Sequence, residues 1–217
     1  MSDPAALESF IGKWRTRWPE WGIAEVFVAT SQRDTALAWF ALLQELTDAA
    51  WSGDDPTPGL AKLAWWQEEL QGWSQGRRRH PLGAALQSQH ASWVALSAVL
   101  PELQRLRTLP RDIGDGFVGL RGFAASVAEV EAELFGTSDS RASDPVTATL
   151  MAMHPALLRP DSTSLRAALL SQWPTAGAPR TRRIVAALAR ARIGTDTPSQ
   201  PLSRWCALWL AWRAARD

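Results

Sequence analysis

The spacing of apolar residues predicts helices along the whole chain. From Ser31 to about Trp51, residues recur three and four positions apart, which is the period of one face of a helix. That face carries Leu37, Phe40, Ala41, Gln44, Asp48 and Trp51. Sustained alternation with β-branched residues, the pattern typical of strands, is not found in any segment. The chain is therefore predicted to be all-α.

Glycine, proline and polar residues predict where the other helices begin and end. After a loop at 52–59, a second helix with Leu63, Trp66, Leu70 and Trp73 on one face ends near Gly76. Further helices are predicted from Pro81 to Leu100, from Pro110 to Gly136, and at 164–172, 179–193 and 201–216, with a polar loop at 137–143. We expect a single domain over residues 1–217 that is looser after residue 160.

Composition limits the classes of protein to which the chain can belong. The chain has 217 residues and is 46% hydrophobic. Its longest apolar runs have 8 residues, whereas a membrane-spanning helix needs about 20. The N-terminal residues do not resemble a secretory signal. Cys206 is the sole cysteine, which excludes an internal disulfide and a cysteine-based zinc cluster. We expect a cytoplasmic protein.

Tryptophan and arginine are unusually common. There are 13 Trp residues, which we expect in the core and in the lining of a cavity, because an indole buries a large apolar surface. Residues 1–100 carry 8 basic and 11 acidic side chains, whereas residues 175–217 carry 8 basic and 2 acidic ones. A basic C-terminal region suits a peripheral contact with the inner face of a membrane or an acidic protein partner. Nucleic acid is not an expected partner, since the net charge is only +1.

Short enzyme motifs do not point to a function here. The chain has no Walker sequence, so a P-loop function lacks support. Residues 72–76 and 114–119 have the spacings Gly-x-Ser-x-Gly and Gly-x-Gly-x-x-Gly, but no strand is predicted before either, and both motifs require one. His80-Pro81 and His154-Pro155 fit helix boundaries better than metal ligation. Glu68 and Glu69 are expected on a solvated helix face.

Three segments resemble the squalene/phytoene synthase family, whose all-α members join two prenyl diphosphates head to head. RDTALAWFALLQELTDAAW (33–51) is similar to the family helix R-x-x-x-x-A-L-Y-A-F-C-R-x-L-D-D-x-x-D. LAKLAWWQEELQGWSQGRRRHPLGAAL (60–86) is similar to the family's paired-aromatic helix, carboxylate, loop and His-Pro. Residues 123–136 resemble the helix that follows. The resemblance implies the isoprenoid-synthase fold, reduced here at its C-terminal end.

The resemblance also implies a metal site from which this sequence departs. Family members ionise an allylic diphosphate with Mg²⁺ held by two aspartate-rich motifs. At the first motif only Asp48 keeps its carboxylate, while Thr47 and Trp51 replace two ligands, and Glu45 offers a makeshift partner. At the second motif Arg159 is followed by Pro160 and Asp161. Glu45, Asp48 and Asp161 are thus vestigial catalytic candidates, and we expect no metal site.

Two further groups of residues are candidates for binding a ligand. The candidates for holding a diphosphate are Arg33, Arg77, Arg78, Arg79 and Arg159, because guanidinium groups pair with phosphate. The candidates for lining a cavity are Phe40, Gln44, Trp51 and Trp66.

Three functional hypotheses follow. The first is a catalytically degenerate member of this family that binds an isoprenoid or lipid-like ligand, or assembles with a protein partner, and needs no cofactor. The second is an active Mg²⁺-dependent prenyl transferase with an altered metal site. The third is a plain helical interaction module.

Overall fold

Helices joined by short connections make up the structure, a computed structural model that describes residues 4–136, 142–175 and 177–216. Its α-helices are α1 (Pro4–Arg17), α2 (Trp21–Ala24), α3 (Arg33–Trp51), α4 (Thr57–Ser74), α5 (Gly83–Leu86), α6 (Trp93–Val99), α7 (Ile113–Phe135), α8 (Asp144–Ala152), α9 (Thr163–Ser171), α10 (Arg180–Ile193) and α11 (Arg204–Arg216). Short 3₁₀ segments lie at Glu25–Phe27, Thr30–Gln32, Leu100–Leu106 and Pro160–Ser162. The described residues contain no strand, so the predicted all-α class is confirmed.

Helix α3 is the central element of the core. Thirteen of its 19 residues are buried, and it contacts α1, α4, α5 and the 3₁₀ segment at Leu100–Leu106. Small residues permit this close packing. A Cβ on Gly59, at the start of α4, would lie only 2.1 Å from the carbonyl oxygen of Ala49. Around this helix, α7 packs on α6 and α8, and α10 packs on α8 and α11.

Most of the predicted helix boundaries agree with the structure. Helices α3, α4 and α7 occupy the predicted segments, and Gly136 ends α7 with φ of 69°, the left-handed conformation that glycine adopts without strain. The predicted loop at 137–143 falls mostly outside the described residues, which resume at 142.

One predicted helix, from Pro81 to Leu100, is wrong. The chain instead forms α5 and α6 with a break between them. The Glu133 carboxylate of α7 causes this break, because it accepts hydrogen bonds from the Ser92 backbone N at 2.7 Å and from Ser92 Oγ at 2.8 Å. A contact 41 residues distant in sequence thus overrides a local helical pattern.

The tryptophans divide into two groups. Those of the N-terminal half lie largely in the core, as predicted. Trp205, Trp209 and Trp212 do not, because they project from α11 into solvent. For these three residues the predicted core or cavity role is wrong.

In the described residues, every helix is too short or too polar to span a bilayer.

A buried ion pair joins three helices. Arg182 of α10 and Glu131 of α7 are 1% and 0% exposed, and Arg182 Nε donates to both carboxylate oxygens at 3.0 and 3.1 Å. The indole Nε1 of Trp39 in α3 donates to Glu131 Oε1 at 2.7 Å. The fully buried carboxylate is therefore satisfied from two sides.

A second buried pair fixes the other end of α10. Arg192 Nε donates to Glu20 Oε1 at 2.7 Å, and the backbone N of Leu202 donates to the same oxygen at 2.7 Å. The Arg192 guanidinium also lies 4.0 Å from the centre of the Trp18 ring. Helix α10 is thus tied to the start of the chain and to the segment that leads into α11.

We predict that Arg182→Met lowers the free energy of unfolding by about 3–5 kcal/mol, because it leaves a buried carboxylate without its cation. Adding Glu131→Leu to this variant is expected to restore part of the loss, since no charge then remains buried. Urea denaturation of the two single variants and the double variant measures the coupling. Arg159→Met, at a position 69% exposed, is the matched control and should cost well under 1 kcal/mol. Additive losses in the double variant would contradict the prediction.

Candidate binding cleft

A narrow cleft lies between α1, α3, α8 and α10. Its apolar walls are formed by Trp14, Trp18, Phe40, Leu43, Trp51, Leu150, Ala152, Met153, Pro155 and Leu158. Its polar lining consists of Arg17, Gln44, Thr47, Asp48, Arg182 and Arg192. The volume is about 60 Å³, whereas pockets for drug-sized ligands hold roughly 300–1,000 Å³. As described, the cleft has room for a few water molecules or a slender chain.

One face of α3 supplies much of this lining. Phe40, Gln44, Asp48 and Trp51 follow one another at helical spacing and all reach the cleft. Three of the four cavity candidates, Phe40, Gln44 and Trp51, are therefore brought together, as is the vestigial Asp48. The fourth cavity candidate, Trp66, lies elsewhere in the core and does not line the cleft.

The Asp48 carboxylate is occupied by an arginine. Arg17 of α1 donates from Nη1 to Oδ1 at 2.7 Å and from Nη2 to Oδ2 at 3.1 Å. This two-pronged geometry uses both carboxylate oxygens and neutralises the charge. A guanidinium thus stands where the family resemblance implies a metal ion.

The other two vestigial candidates lie in separate ion pairs. Glu45 accepts from Lys62 Nζ at 2.7 Å, and Lys13 Nζ lies 4.0 Å from its other oxygen. Asp161 Oδ1 lies 3.3 Å from Arg159 Nε on the surface. Asp161 and Arg159 both lie outside the cleft. Within residues 4–136, 142–175 and 177–216, no group of three or more His, Cys, Asp or Glu side chains is arranged to hold a metal ion.

The arginines proposed for a diphosphate do not converge on the cleft. Arg33 donates to the backbone oxygens of Val26 and Val28, which secures the turn before α3. Arg77, Arg78 and Arg79 line a separate surface groove with Glu68 and Glu69.

Glu69 is buried, so the predicted solvated position was wrong for this residue. It is 2% exposed and accepts hydrogen bonds from the backbone N of Arg79 at 2.7 Å, the backbone N of His80 at 2.8 Å and Trp73 Nε1 at 2.9 Å. Burial raises the pKa of Glu69, but these hydrogen bonds outweigh it, and the pKa lies below its ordinary value. Glu69 thus fixes the loop before α5.

Sequence reasoning missed the arginines that do reach the cleft. These are Arg17, Arg182 and Arg192. A signal was present for α10, because Arg182, Val185, Ala189 and Arg192 share the face that packs inward. An arginine on an apolar face indicates a buried charge that needs a carboxylate partner.

Each of the three cleft arginines, Arg17, Arg182 and Arg192, has such a partner. The partners are Asp48, Glu131 and Glu20 respectively. The ion pairs of the cleft therefore carry no excess positive charge with which to bind a diphosphate.

Trp51 has a structural role in the wall. Its Nε1 donates to the backbone oxygen of Leu103 at 2.8 Å, and its ring lies 4.6 Å from that of His154. His154 Nε2 is 2.8 Å from the backbone oxygen of Leu106, while its Nδ1 accepts from the backbone N of Ala156 at 3.1 Å. Since both ring nitrogens have partners that suit the neutral ring, His154 belongs to the framework of the cleft.

Two lining residues leave hydrogen-bonding capacity unused. Trp14 Nε1 and Gln44 Oε1 are buried and have no hydrogen-bond partner within the described parts of the chain. One is a donor and the other an acceptor.

Comparisons of the chain with known protein families, with curated proteins and with solved structures gave no match. The function is therefore inferred from the geometry above.

We predict that folding stability falls between pH 6.5 and 4, in part because of His154. Burial lowers the pKa of His154 from 6.5 to about 4, against a smaller raising effect of its hydrogen bond to Leu106. In this pH range His154 binds a proton in the unfolded chain, whereas in the folded chain it remains largely unprotonated. The stabilisation is complete above pH 6.5 and is lost as the pH falls towards 4, by about 2–3 kcal/mol for this residue.

Urea denaturation at several pH values tests this prediction. His154→Gln should flatten the pH dependence, whereas His90→Gln, at an exposed position, should leave it unchanged. Part of the dependence should persist in His154→Gln, because burial among Phe10, Trp65 and Trp66 also lowers the pKa of His80 to about 4. Equal pH profiles for His154→Gln and the unsubstituted protein would contradict the assignment.

Proposed function

We propose that the chain is a non-catalytic helical binding protein, organised like the squalene/phytoene synthases, which holds a slender apolar molecule in the cleft. The observation that carries this proposal is the two-pronged bond between Arg17 and Asp48 at an otherwise aromatic cleft. Ionising a prenyl diphosphate requires several oxygen donors around Mg²⁺. Here the Asp48 carboxylate, on the cleft side of α3, is paired with the guanidinium of Arg17.

The chemistry of the lining indicates the kind of molecule. Aromatic and aliphatic side chains dominate the walls, and such surfaces favour hydrocarbon. The unpartnered Trp14 Nε1 and Gln44 Oε1 favour one neutral polar group at the end of that hydrocarbon. An isoprenoid alcohol has both features, whereas a diphosphate adds charges that the paired arginines do not balance.

Calorimetric titration with farnesol and with farnesyl diphosphate, each with and without Mg²⁺, tests the proposal. We expect farnesol to bind with an affinity that Mg²⁺ does not change, and farnesyl diphosphate to bind more weakly and without turnover. Mg²⁺-dependent consumption of farnesyl diphosphate that Asp48→Ala abolishes would overturn the proposal in favour of a working prenyl transferase.

We further predict that Leu43→Trp weakens farnesol binding at least tenfold. Leu43 lines the cleft. The cleft has a volume of about 60 Å³, which cannot hold both a tryptophan side chain at this position and a ligand. Leu60→Trp is the matched control, because Leu60 is 49% exposed on α4 and lies outside the cleft. Circular dichroism verifies that both variants keep their helix content. Equal affinities of the two variants would place the ligand elsewhere.

The volume of the cleft favours a second candidate function. A cavity of about 60 Å³ is smaller than a pocket for a drug-sized ligand, as expected for a helical interaction module that acts through a protein partner. If neither farnesol nor farnesyl diphosphate binds, this second function is supported and the first is rejected.

A further inference from the structure

Helix α11 packs with its small residues and exposes its large ones. Ala207 and Ala211 are fully buried and Ala214 nearly so, against α10 and α2. On the opposite face, Trp205, Trp209 and Trp212 are 81%, 52% and 44% exposed. Spacings of four and three residues place these indoles in one stripe. This arrangement reverses the usual amphipathic helix, in which the large apolar residues face the core.

Other exposed apolar residues do not form such a stripe. Val26, Leu60, Val94 and Val118 are also more than 40% exposed. They lie in four different elements, and single exposed aliphatic residues are ordinary on protein surfaces. The three indoles of α11 form a grouped exception, which is the kind of patch that marks an interaction surface.

Arginine side chains flank the stripe. The guanidinium of Arg213 lies 5.5 Å from the ring centre of Trp209, and that of Arg216 lies 4.7 Å from the ring centre of Trp212. No aspartate or glutamate occurs in the sequence from 197 to 216. Along the described residues of α11, the surface therefore presents indoles and positive charge side by side.

A groove beside the stripe continues this pattern. It runs between α10 and α11 and has a volume of about 560 Å³. Its walls include Arg190 and Arg213 with Trp173 and Leu210, and its lining contains no carboxylate among the residues described. The Arg190 guanidinium lies 5.9 Å from the Trp173 ring. Since Arg213 belongs to both features, the groove and the stripe form one continuous basic and aromatic surface.

We propose that this surface docks on an anionic phospholipid bilayer. Indoles settle at the level of lipid headgroups, where one edge meets hydrocarbon and the other meets water. Guanidinium groups beside them pair with headgroup phosphates, and each basic residue adds to attraction by an anionic leaflet. The helix then lies in the plane of the interface with its alanine face on the protein.

The aromatic character and charge of the surface favour a bilayer over a protein. The exposed parts of the three indoles alone amount to roughly 300–450 Å², and an aromatic patch flanked by arginines suits the headgroup layer of an anionic bilayer. A second copy of this chain is disfavoured, because its own arginines would face those of the first. The inference is independent of the ligand in the cleft and concerns where the protein resides.

Flotation of the full chain with lipid vesicles tests the proposal. We expect co-flotation with vesicles of phosphatidylcholine and 30% phosphatidylglycerol, and little with phosphatidylcholine alone. Raising NaCl from 0.1 to 0.5 M should reduce binding several-fold, because salt screens the headgroup charge. Trp205→Ser combined with Trp209→Ser and Trp212→Ser should reduce binding at least tenfold. Because these side chains project into solvent, circular dichroism should show an unchanged fold.

The matched control carries Leu60→Ser, Val94→Ser and Val118→Ser, which remove exposed apolar side chains elsewhere. It should bind vesicles within twofold of the unsubstituted protein. Arg213→Gln with Arg216→Gln should lose the preference for phosphatidylglycerol while retaining the fold. Failure to float with anionic vesicles, or equal binding by the tryptophan and control triples, would overturn the proposal. Self-association that the tryptophan triple abolishes, without vesicle binding, would also overturn it and assign the surface to a second copy.

Discussion

The buried contact between Glu131 and Arg182 determines how the core is assembled. A carboxylate and a guanidinium without water can coexist only if each neutralises the other and their remaining hydrogen-bonding groups find partners. Trp39 completes the set from α3, so one point fixes α3, α7 and α10 relative to each other. The pair between Glu20 and Arg192 does the same at the far end of α10. Both arginines also line the cleft between α1, α3, α8 and α10.

The same pairing governs what the cleft can do chemically. Its three arginines are individually strong anion ligands, yet each already holds a carboxylate of the protein. An arrangement of this kind supplies rigidity instead of free charge. The cleft therefore differs from a site that ionises diphosphates, where oxygen donors must remain open to metal.

Single helices could be predicted from the sequence, whereas contacts between distant elements could not. The helix periodicity of 31–51 identified α3 and the face on which Phe40, Gln44 and Trp51 meet, because that face depends only on local spacing. The break between α5 and α6, the burial of Glu69 and the burial of Arg182 were not predicted. Each depends on a partner in another element or on a loop that folds back, and the pattern of a single helix does not contain that information.

The tryptophans of α11 show a related limit. Composition predicts that indoles are buried, and for most of the 13 this holds. On α11 the alanines take the inner face, since close approach to α10 and α2 needs small side chains, and the indoles are left outside.

The resemblance to squalene/phytoene synthases remains a hypothesis, because the helical architecture agrees with it without being specific to it.

The sequence distance spanned by the Glu20–Arg192 contact has a consequence for biosynthesis. The two residues are 172 positions apart, so while the polypeptide leaves the ribosome its early helices emerge long before the cation that completes them. Until α10 appears, Glu20 and Glu131 have no counter-charge from that helix and must stay hydrated. The contact between Glu20 and Arg192 can therefore form only after α10 has been synthesised, 172 residues after Glu20.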